Sequence, residues 1–352
     1  MKKILLVNPY AGPPDYSSLG FRHFFLSKEW VKMGYQVTLV ASAYDHYMYK
    51  FPSTKKIFNS ETIDGVNFVF IKNFKYKNSY GLGRILNWII FTVLLLVYNP
   101  KQKFDIIICS SPDLFSFIPC FFKKLFNKSS KLILEIRDIW PLTIIELGNK
   151  SKYNPLIFIL SLIEKFSYKN SDLIVGTMGN LDNHIKKIIN KKINFRYIPQ
   201  GVDLDFLKDS AKFDISSLQK FPIKSKLVIG YAGSMSVSNS LETIIKVAKI
   251  IEKSHPEINF YFLGDGMEKK KLISLSNDLQ NVYFFDKVDK KYVLSFLKKC
   301  DVLYDSVNYS KIYDFGISRN KWMDYMYASK PLLISYNGFE DIVSKLKNGY
   351  TV

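Results

Sequence analysis

LVIGYAGSMSVSNSLETIIKVAKIIEK, residues 227–253, is the stretch on which the architecture turns. The apolar run 227–233 closes on glycine and reads as a buried strand, 234–240 as a polar loop, and 241–253 as a helix by its apolar spacing. A strand that feeds a loop into a helix is half of a βαβ unit. The same order has already occurred at the start of the chain. There, KILLVN (3–8) is a strand, PYAGPPDYSSLG (9–20) a loop, and 21–33 a helix stopped by Gly34 before the strand 36–41.

Further strands are expected at 66–71, 105–110, 132–136, 173–176 and 196–198, and, after the restart, at 259–263, 282–285, 302–305 and 331–335. A helix is expected at 290–299. Two successive blocks of alternating strands and helices predict an α/β chain of two Rossmann-like domains, 1–200 and 201–352, joined near 198–220, where IPQGVDLDFL precedes a Lys/Ser/Pro-rich stretch. A length of 352 residues with 47% hydrophobic content suits two ordinary cores.

Three cysteines (Cys109, Cys120, Cys300) without paired spacing argue for a reducing compartment, and four scattered histidines offer no zinc spacing. The chain opens Met1-Lys2-Lys3 and runs straight into a strand-like segment, so no signal peptide is expected. The longest apolar run, ILNWIIFTVLLLVY (85–98), is shorter than the roughly 20 residues that span a bilayer and reads as a buried helix, the alternative being a helix that dips into a membrane.

Charge is uneven. Residues 1–200 hold 28 Lys and Arg against 13 Asp and Glu, whereas 201–352 hold 22 against 18. A basic first half points to an anionic partner: nucleic acid, an anionic membrane surface or a phosphorylated lipid. No nucleic-acid-binding motif accompanies the basic half, so nucleic acid is not expected. The alternative is a lysine-rich surface from compositional bias alone.

Four motifs carry chemistry. In YDFGISRNKWMDYMYASKP (313–331), a glycine turn leads to Ser318, Arg319, Asn320 and Lys321 and then to a helix bearing Asp324. A helix start with a cation beside it receives phosphate, and a carboxylate one turn on can accept from ribose hydroxyls. GYAGSMSVSNSLE (230–242) offers the backbone at Gly233 and Ser234 to a pyrophosphate, or is an ordinary turn capped by Asn239 or Ser240. In FLGDG, Gly264, Asp265 and Gly266 either let a flat ligand approach the backbone or form a plain turn. LEIRDIWP (134–141) puts Asp138 at a strand end, to touch a sugar or acceptor hydroxyl, to pair with Arg137, or to cap a helix. Ser18 and Gly20 lie in a small-residue loop above the first strand that would face the other domain's ligand in a two-domain cleft, and Arg22 and His23 follow in the first helical turn, the alternative being a solvated helix start.

In this order and spacing, the motifs resemble family 4 glycosyltransferases of the GT-B fold, and more narrowly the bacterial O-antigen and capsule enzymes of the N-acetylfucosamine-transferase type. The resemblance rests on 17–42, EIRDIWPLTIIELG (135–148), IPQGVD, 230–245, FLGDG and FGISRNKWMDYMYASKPLLI (315–334), and spans nearly the whole chain. It implies two Rossmann-like domains facing across a cleft. It also implies retaining transfer of a sugar from a nucleotide donor, usually UDP-linked, to a lipid-diphosphate-linked glycan, with no cofactor and no essential metal. The leaving diphosphate would help to deprotonate the acceptor. Catalytic roles fall to Asp138, Arg319 and Lys321. Donor contacts fall to Gly233, Ser234, Gly264, Asp265, Gly266, Ser318, Asn320 and Asp324, and acceptor contacts to Ser18, Gly20, Arg22 and His23. A cytoplasmic protein held at the inner-membrane surface is the implied setting, a role to which PCFFKKLF (119–126) also points.

Three departures accompany the resemblance. Asp324 matches the second acid of the family's paired-glutamate motif, but the first position is Gly316. The loop 234–240 lacks the cations the family often carries, so Arg319 and Lys321 are expected to compensate. The chain stops at NGYTV where family members continue, so the second domain is expected to be truncated. Competing readings are a GT-B nucleotide-sugar epimerase and a non-catalytic scaffold that keeps the fold.

Overall fold

The computed structural model describes residues 1–17, 21–76, 81–100, 102–190, 192–222 and 226–352. They form two compact units, Met1–Pro199 and Gln200–Val352.

The first unit is built on eight strands: β1 (Lys3–Val7), β2 (Gln36–Ser42), β3 (Phe58–Ile63), β4 (Val66–Ile71), β5 (Ile106–Ser110), β6 (Lys131–Ile136), β7 (Leu173–Gly176) and β8 (Phe195–Tyr197). They lie in the order β3-β4-β2-β1-β5-β6-β7-β8. All pairs are parallel except β3 with β4, a hairpin the apolar pattern did not announce because β3 (FNSETI) is an exposed, polar edge strand. Its helices are α1 (Phe21–Lys32), α2 (Leu82–Val97), α3 (Phe117–Phe126), α4 (Leu142–Glu146), α5 (Pro155–Asn170) and α6 (Leu181–Ile189).

The second unit carries β9 (Leu227–Ala232), β10 (Ile258–Leu263), β11 (Val282–Phe285), β12 (Val302–Ser306), β13 (Leu332–Ser335) and β14 (Gly349–Thr351). The order β11-β10-β9-β12-β13-β14 is entirely parallel and is that of a Rossmann sheet. Its helices are α7 (Leu204–Ser210), α8 (Glu242–Ile251), α9 (Lys269–Leu275), α10 (Lys290–Lys299), α11 (Asn320–Tyr327) and α12 (Ile342–Leu346).

Strands buried on both faces explain why the sequence shows apolar runs rather than alternation. In β4 (VNFVFI), five of six positions are buried. Phe24, Leu39, Phe68 and Phe70 anchor the core between β1, β2, β4 and α1, and Tyr231, Ile245, Phe260 and Phe262 anchor its counterpart in the second unit. Each sheet reverses its strand order once, between β1 and β5 and between β9 and β12. Loops leaving the carboxyl ends of such strand pairs diverge and leave a crevice, the usual ligand position in this architecture.

One expectation is corrected here. The run 85–98 forms α2, but only its Asn87, Trp88, Phe91, Thr92 and Leu95 side is buried. The opposite side is apolar and exposed, with Leu82 at 83% and Val97 at 63%. Because both sides are apolar, no 3.6-residue contrast separates them in the sequence.

The loop after β10 is welded to the loop after β9. Gly233 N donates to Leu263 O at 3.0 Å and Met235 N to Asp265 O at 2.8 Å. Gly264 has φ +141, and a Cβ there would lie 2.0 Å from the Gly233 carbonyl oxygen. Gly264→Ala is therefore expected to destabilise the second unit by roughly 3 kcal/mol, from backbone strain and overpacking together. A denaturant melt followed by tyrosine and tryptophan fluorescence measures it; an unshifted midpoint would contradict the close approach.

Candidate functional site

In the second unit the crevice between β9 and β12 is organised by Asp305, at the end of β12 and 1% exposed. Its carboxylate accepts from Arg319 Nε at 3.0 Å and Nη2 at 3.2 Å, from Lys321 Nζ at 3.0 Å and from Trp322 Nε1 at 2.8 Å. Burial pushes the Asp305 carboxyl up, but Lys321 and Arg319 outweigh burial and hold it below its ordinary value. One carboxylate against two cations leaves the cluster a net single positive charge.

The cations also reach the β9 loop. Arg319 Nη2 donates to Asn239 Oδ1 at 2.6 Å and to Ser306 O at 3.1 Å. Lys321 Nζ lies 2.9 Å from the Tyr231 hydroxyl and 4.1 Å from the centre of its ring. Gly233 has φ +155, and a side chain there would sit 3.1 Å from Lys321 Nζ, so the glycine leaves the ammonium room beside the turn. Burial brings Lys321 down to about 8; Asp305 pulls it back up and the Arg319 charge lowers it further.

Helix α11 begins at this point. Arg319 stands at its N-cap with no side-chain cap, so the first N–H groups of the helix face the cluster without an internal acceptor. Asn320 and Lys321 are its first two residues, and Asn320 is exposed. Ser318 Oγ, one residue before the cap, is buried and has no hydrogen-bond partner among the described residues. A positive cluster, an uncapped helix N-terminus and an unspent hydroxyl form an anion receptacle. Asp324, one turn on, is ion-paired with Lys290 of α10.

Other expected residues take different parts. Gly264 and Gly266 meet the chain's own backbone, since a Cβ on Gly266 would fall 2.3 Å from Met235 O. Asp265 accepts from Gly266 N at 2.8 Å on the exposed side of that loop. The Ser234 carbonyl accepts from the Tyr231 hydroxyl at 2.6 Å. Asn239 does not cap α8, whose N-cap is Leu241, without a side-chain bond. Its side chain instead ties the β9 loop to Arg319, a long-range contact that overrides the local capping pattern. Gly316 has φ +104 and ψ 175, a conformation essentially restricted to glycine, so a glutamate at that position would be strained.

In the first unit, Arg22 and His23 turn inward. Glu135, at the end of β6, meets Arg22 Nε at 2.9 Å, His23 Nε2 at 2.8 Å and Ser110 Oγ at 2.7 Å. Burial raises the Glu135 carboxyl, but His23, Arg22 and Arg137 overcome it and hold it far below the carboxylate range. Burial also keeps His23 below its usual value. Ser18 and Gly20 lie outside the described residues.

Asp138 accepts from Trp140 Nε1 at 2.9 Å and from Thr143 Oγ1 at 2.5 Å, anchoring the start of α4. Trp140 leads to a cluster absent from the sequence reading. Its ring meets Trp88 edge-on at 5.1 Å, and the Arg84 guanidinium lies 4.9 Å from the Trp88 ring and 5.3 Å from the Tyr10 ring. The Tyr10 hydroxyl accepts from Trp88 Nε1 at 2.6 Å and Arg84 Nε at 2.9 Å. Next to it, burial raises Asp45 to about 7 and lowers His46 to about 4, with Arg84 lowering His46 further. The rings come from residues 10, 46, 88 and 140, too far apart in the chain for any local motif.

Residues 215–352 match the family model described as glycosyl transferases group 1. An uncharacterized glycosyltransferase of Methanocaldococcus jannaschii is 28% identical over 164 residues, covering 45% of this chain and 38% of the relative. The chain thus spans well under half the length of that curated relative. Among solved structures, sucrose-phosphate synthase from Thermosynechococcus elongatus superposes with a TM-score of 0.69 at 14% identity, covering 100% of this chain and 86% of that one. The fold is GT-B. Anabaena HepE in complex with UDP-glucose has a TM-score of 0.62 at 12% identity over 100% of this chain and 85% of its own. WaaG, a glycosyltransferase involved in lipopolysaccharide biosynthesis, has 0.64 at 11% identity over 99% and 85%. The Asp305 cluster lies within the residues that match this family model. Among the described residues, no three His, Cys, Asp or Glu side chains gather where they could hold a metal ion.

Asp305→Asn removes the carboxylate shared by two mostly buried cations, Arg319 and Lys321. It is expected to cost about 3 kcal/mol of stability, read from the unfolding midpoint; a change under about 0.5 kcal/mol would show the cluster to be incidental. Asp45 gives a pH signature. Its folded-state pKa is raised from 3.8 to about 7, so the folded chain binds the extra proton and loses stability as pH rises through about 7. Asp45→Asn should therefore stabilise the chain by roughly 2 kcal/mol at pH 8 and show little benefit below pH 4. Melting curves across that range test the sign.

Proposed function

We propose that the protein is a retaining glycosyltransferase that moves a sugar from a nucleotide donor, UDP-linked, to a glycan carried on a lipid diphosphate. The observation that carries this reading is the Asp305–Arg319–Lys321 cluster at the uncapped start of α11, in a domain that matches glycosyl transferases group 1. Breaking the glycosidic bond puts negative charge on the departing diphosphate, and catalysis requires that charge to be met where it develops. Lys321, Arg319, the α11 N–H groups and Ser318 Oγ supply that here, without a cofactor or a metal. Asp305 keeps both cations in place before the donor arrives, so little reorganisation is needed.

The nucleotide lies against the β9 and β10 loops, at Gly233, Ser234 and Asp265, with Asn320 at the helix start. Asp324 receives the ribose once Lys290 yields. The acceptor belongs to the first unit, where the half-buried Trp140 beside Arg84 suits a sugar ring and Asp138 would orient it. The first unit's net charge of +15 suits the acceptor's diphosphate and an anionic inner-membrane surface on its cytoplasmic side. Relatives with UDP and UDP-glucose bound support the choice of donor.

A panel of UDP- and GDP-sugars with a lipid-diphosphate acceptor tests the reading. Release of free nucleotide that depends on acceptor supports transfer, isomerised sugar would replace it with an epimerase, and binding without turnover would leave a scaffold. Lys321→Ala is expected to lower kcat/KM about 100-fold, as loss of a charge-stabilising group does. Wild-type kcat/KM, which reports free-enzyme ionisations, should fall as pH rises through about 8, where Lys321 loses its proton. Lys321→Arg should move that fall to higher pH. Turnover of Lys321→Ala near the wild-type rate would remove the lysine from the mechanism.

A further inference from the structure

We infer that the outer face of α2, continued by α3 and α5, is a bilayer-docking surface for anionic lipid. Leu86, Ile89, Val93 and Leu96 recur at spacings of three and four, so they form one stripe along the side of α2 opposite its buried residues. No charged residue occurs between Arg84 and the end of the helix, so the stripe from Leu86 to Leu96 is bare hydrocarbon over roughly 15 Å. Soluble surfaces rarely leave so long an apolar strip exposed.

The stripe is not isolated. α3 packs between α2 and α5, with Phe121 edge-on to Phe166 of α5 at 5.0 Å and Lys123 donating to the carbonyl of Tyr98 at the end of α2. Exposed Phe122 and Phe126 on α3, and Phe158 and Leu162 on α5, extend the apolar area. Lys128, Lys165 and Lys169 are exposed on or beside these helices.

Two observations select lipid as the occupant. The α2 face is aliphatic, without the Tyr, Trp or Arg anchors of protein interfaces, and lysine, which such interfaces disfavour, flanks it. The whole unit carries a net +15, complementary to anionic headgroups. No helix of the described residues is long and apolar enough to cross a membrane, so the arrangement is that of helices lying in the interface plane, lysines toward the headgroups. The inference deepens the lipid-acceptor part of the proposed function by naming the surface that meets the bilayer.

Flotation of the full chain with phosphatidylglycerol/phosphatidylcholine vesicles tests it. Wild type should float with these vesicles and about ten-fold less with phosphatidylcholine alone. Leu86→Glu/Val93→Glu should reduce flotation about ten-fold with an unchanged melting temperature, both positions being exposed. As a second probe, Ile89→Cys carrying an environment-sensitive dye should shift its emission to the blue on adding vesicles; the native cysteines are buried and leave the label selective. Wild type that stays unbound, a double variant that floats as well as wild type, or an unshifted dye would overturn the inference. So would light scattering showing a dimer that the double variant splits while vesicles capture nothing, since the face would then join two copies. The vesicles contain no sugar acceptor, so failure here and failure of sugar transfer are separate results.

Discussion

A single buried carboxylate, Asp305, makes the second unit's crevice what it is. Two cations, an indole N–H and the start of a helix converge on it, all from the single turn 319–322. Without that acceptor, Arg319 and Lys321 would repel one another in a poorly hydrated place, and α11 would have no reason to begin where it does. With it, the helix start, the Gly233 turn and the end of β12 are fixed relative to one another. The cluster keeps one positive charge unspent, which is the property a phosphate needs.

The first unit repeats the logic with another buried carboxylate at its centre of contacts. Glu135 draws in Arg22, His23 and Ser110, bringing together α1, β5 and β6 beside the strand reversal at β1 and β5. Nearby, the Arg84 guanidinium is set among the rings of Tyr10 and Trp88, both buried, and of the half-buried Trp140. One unit thus offers a cation set in a polar crevice, and the other a cation set among rings. The first chemistry suits phosphate and the second suits the apolar faces of a sugar.

Much of this was legible in the sequence. Strands buried on both faces print themselves as apolar runs, and the repeat of strand, loop and helix at 227–253 disclosed two Rossmann-like units. Arg319, Lys321 and Gly233 were visible because the glycine turn and the helix start lie close in the chain. The roles of Asp305 and Asn239 were not, since neither residue carries a local mark of its partners, 14 positions away for Asp305 and Arg319 and 80 for Asn239 and Arg319. Arg22 and His23 were read as open because Glu135, which occupies them, is more than 100 residues distant. The stretch 85–98 misled for a different reason: a helix apolar on both sides shows no period that tells which side is covered.

The welded pair of loops has one more consequence. The Gly233 and Gly264 turns hold each other by main-chain hydrogen bonds and glycine contacts before any ligand is present. The nucleotide proposed to lie there would not have to freeze a wandering segment, so little conformational entropy would be lost on binding. Discrimination among donors then falls on side chains at the rim, which can change without unsettling the frame beneath them.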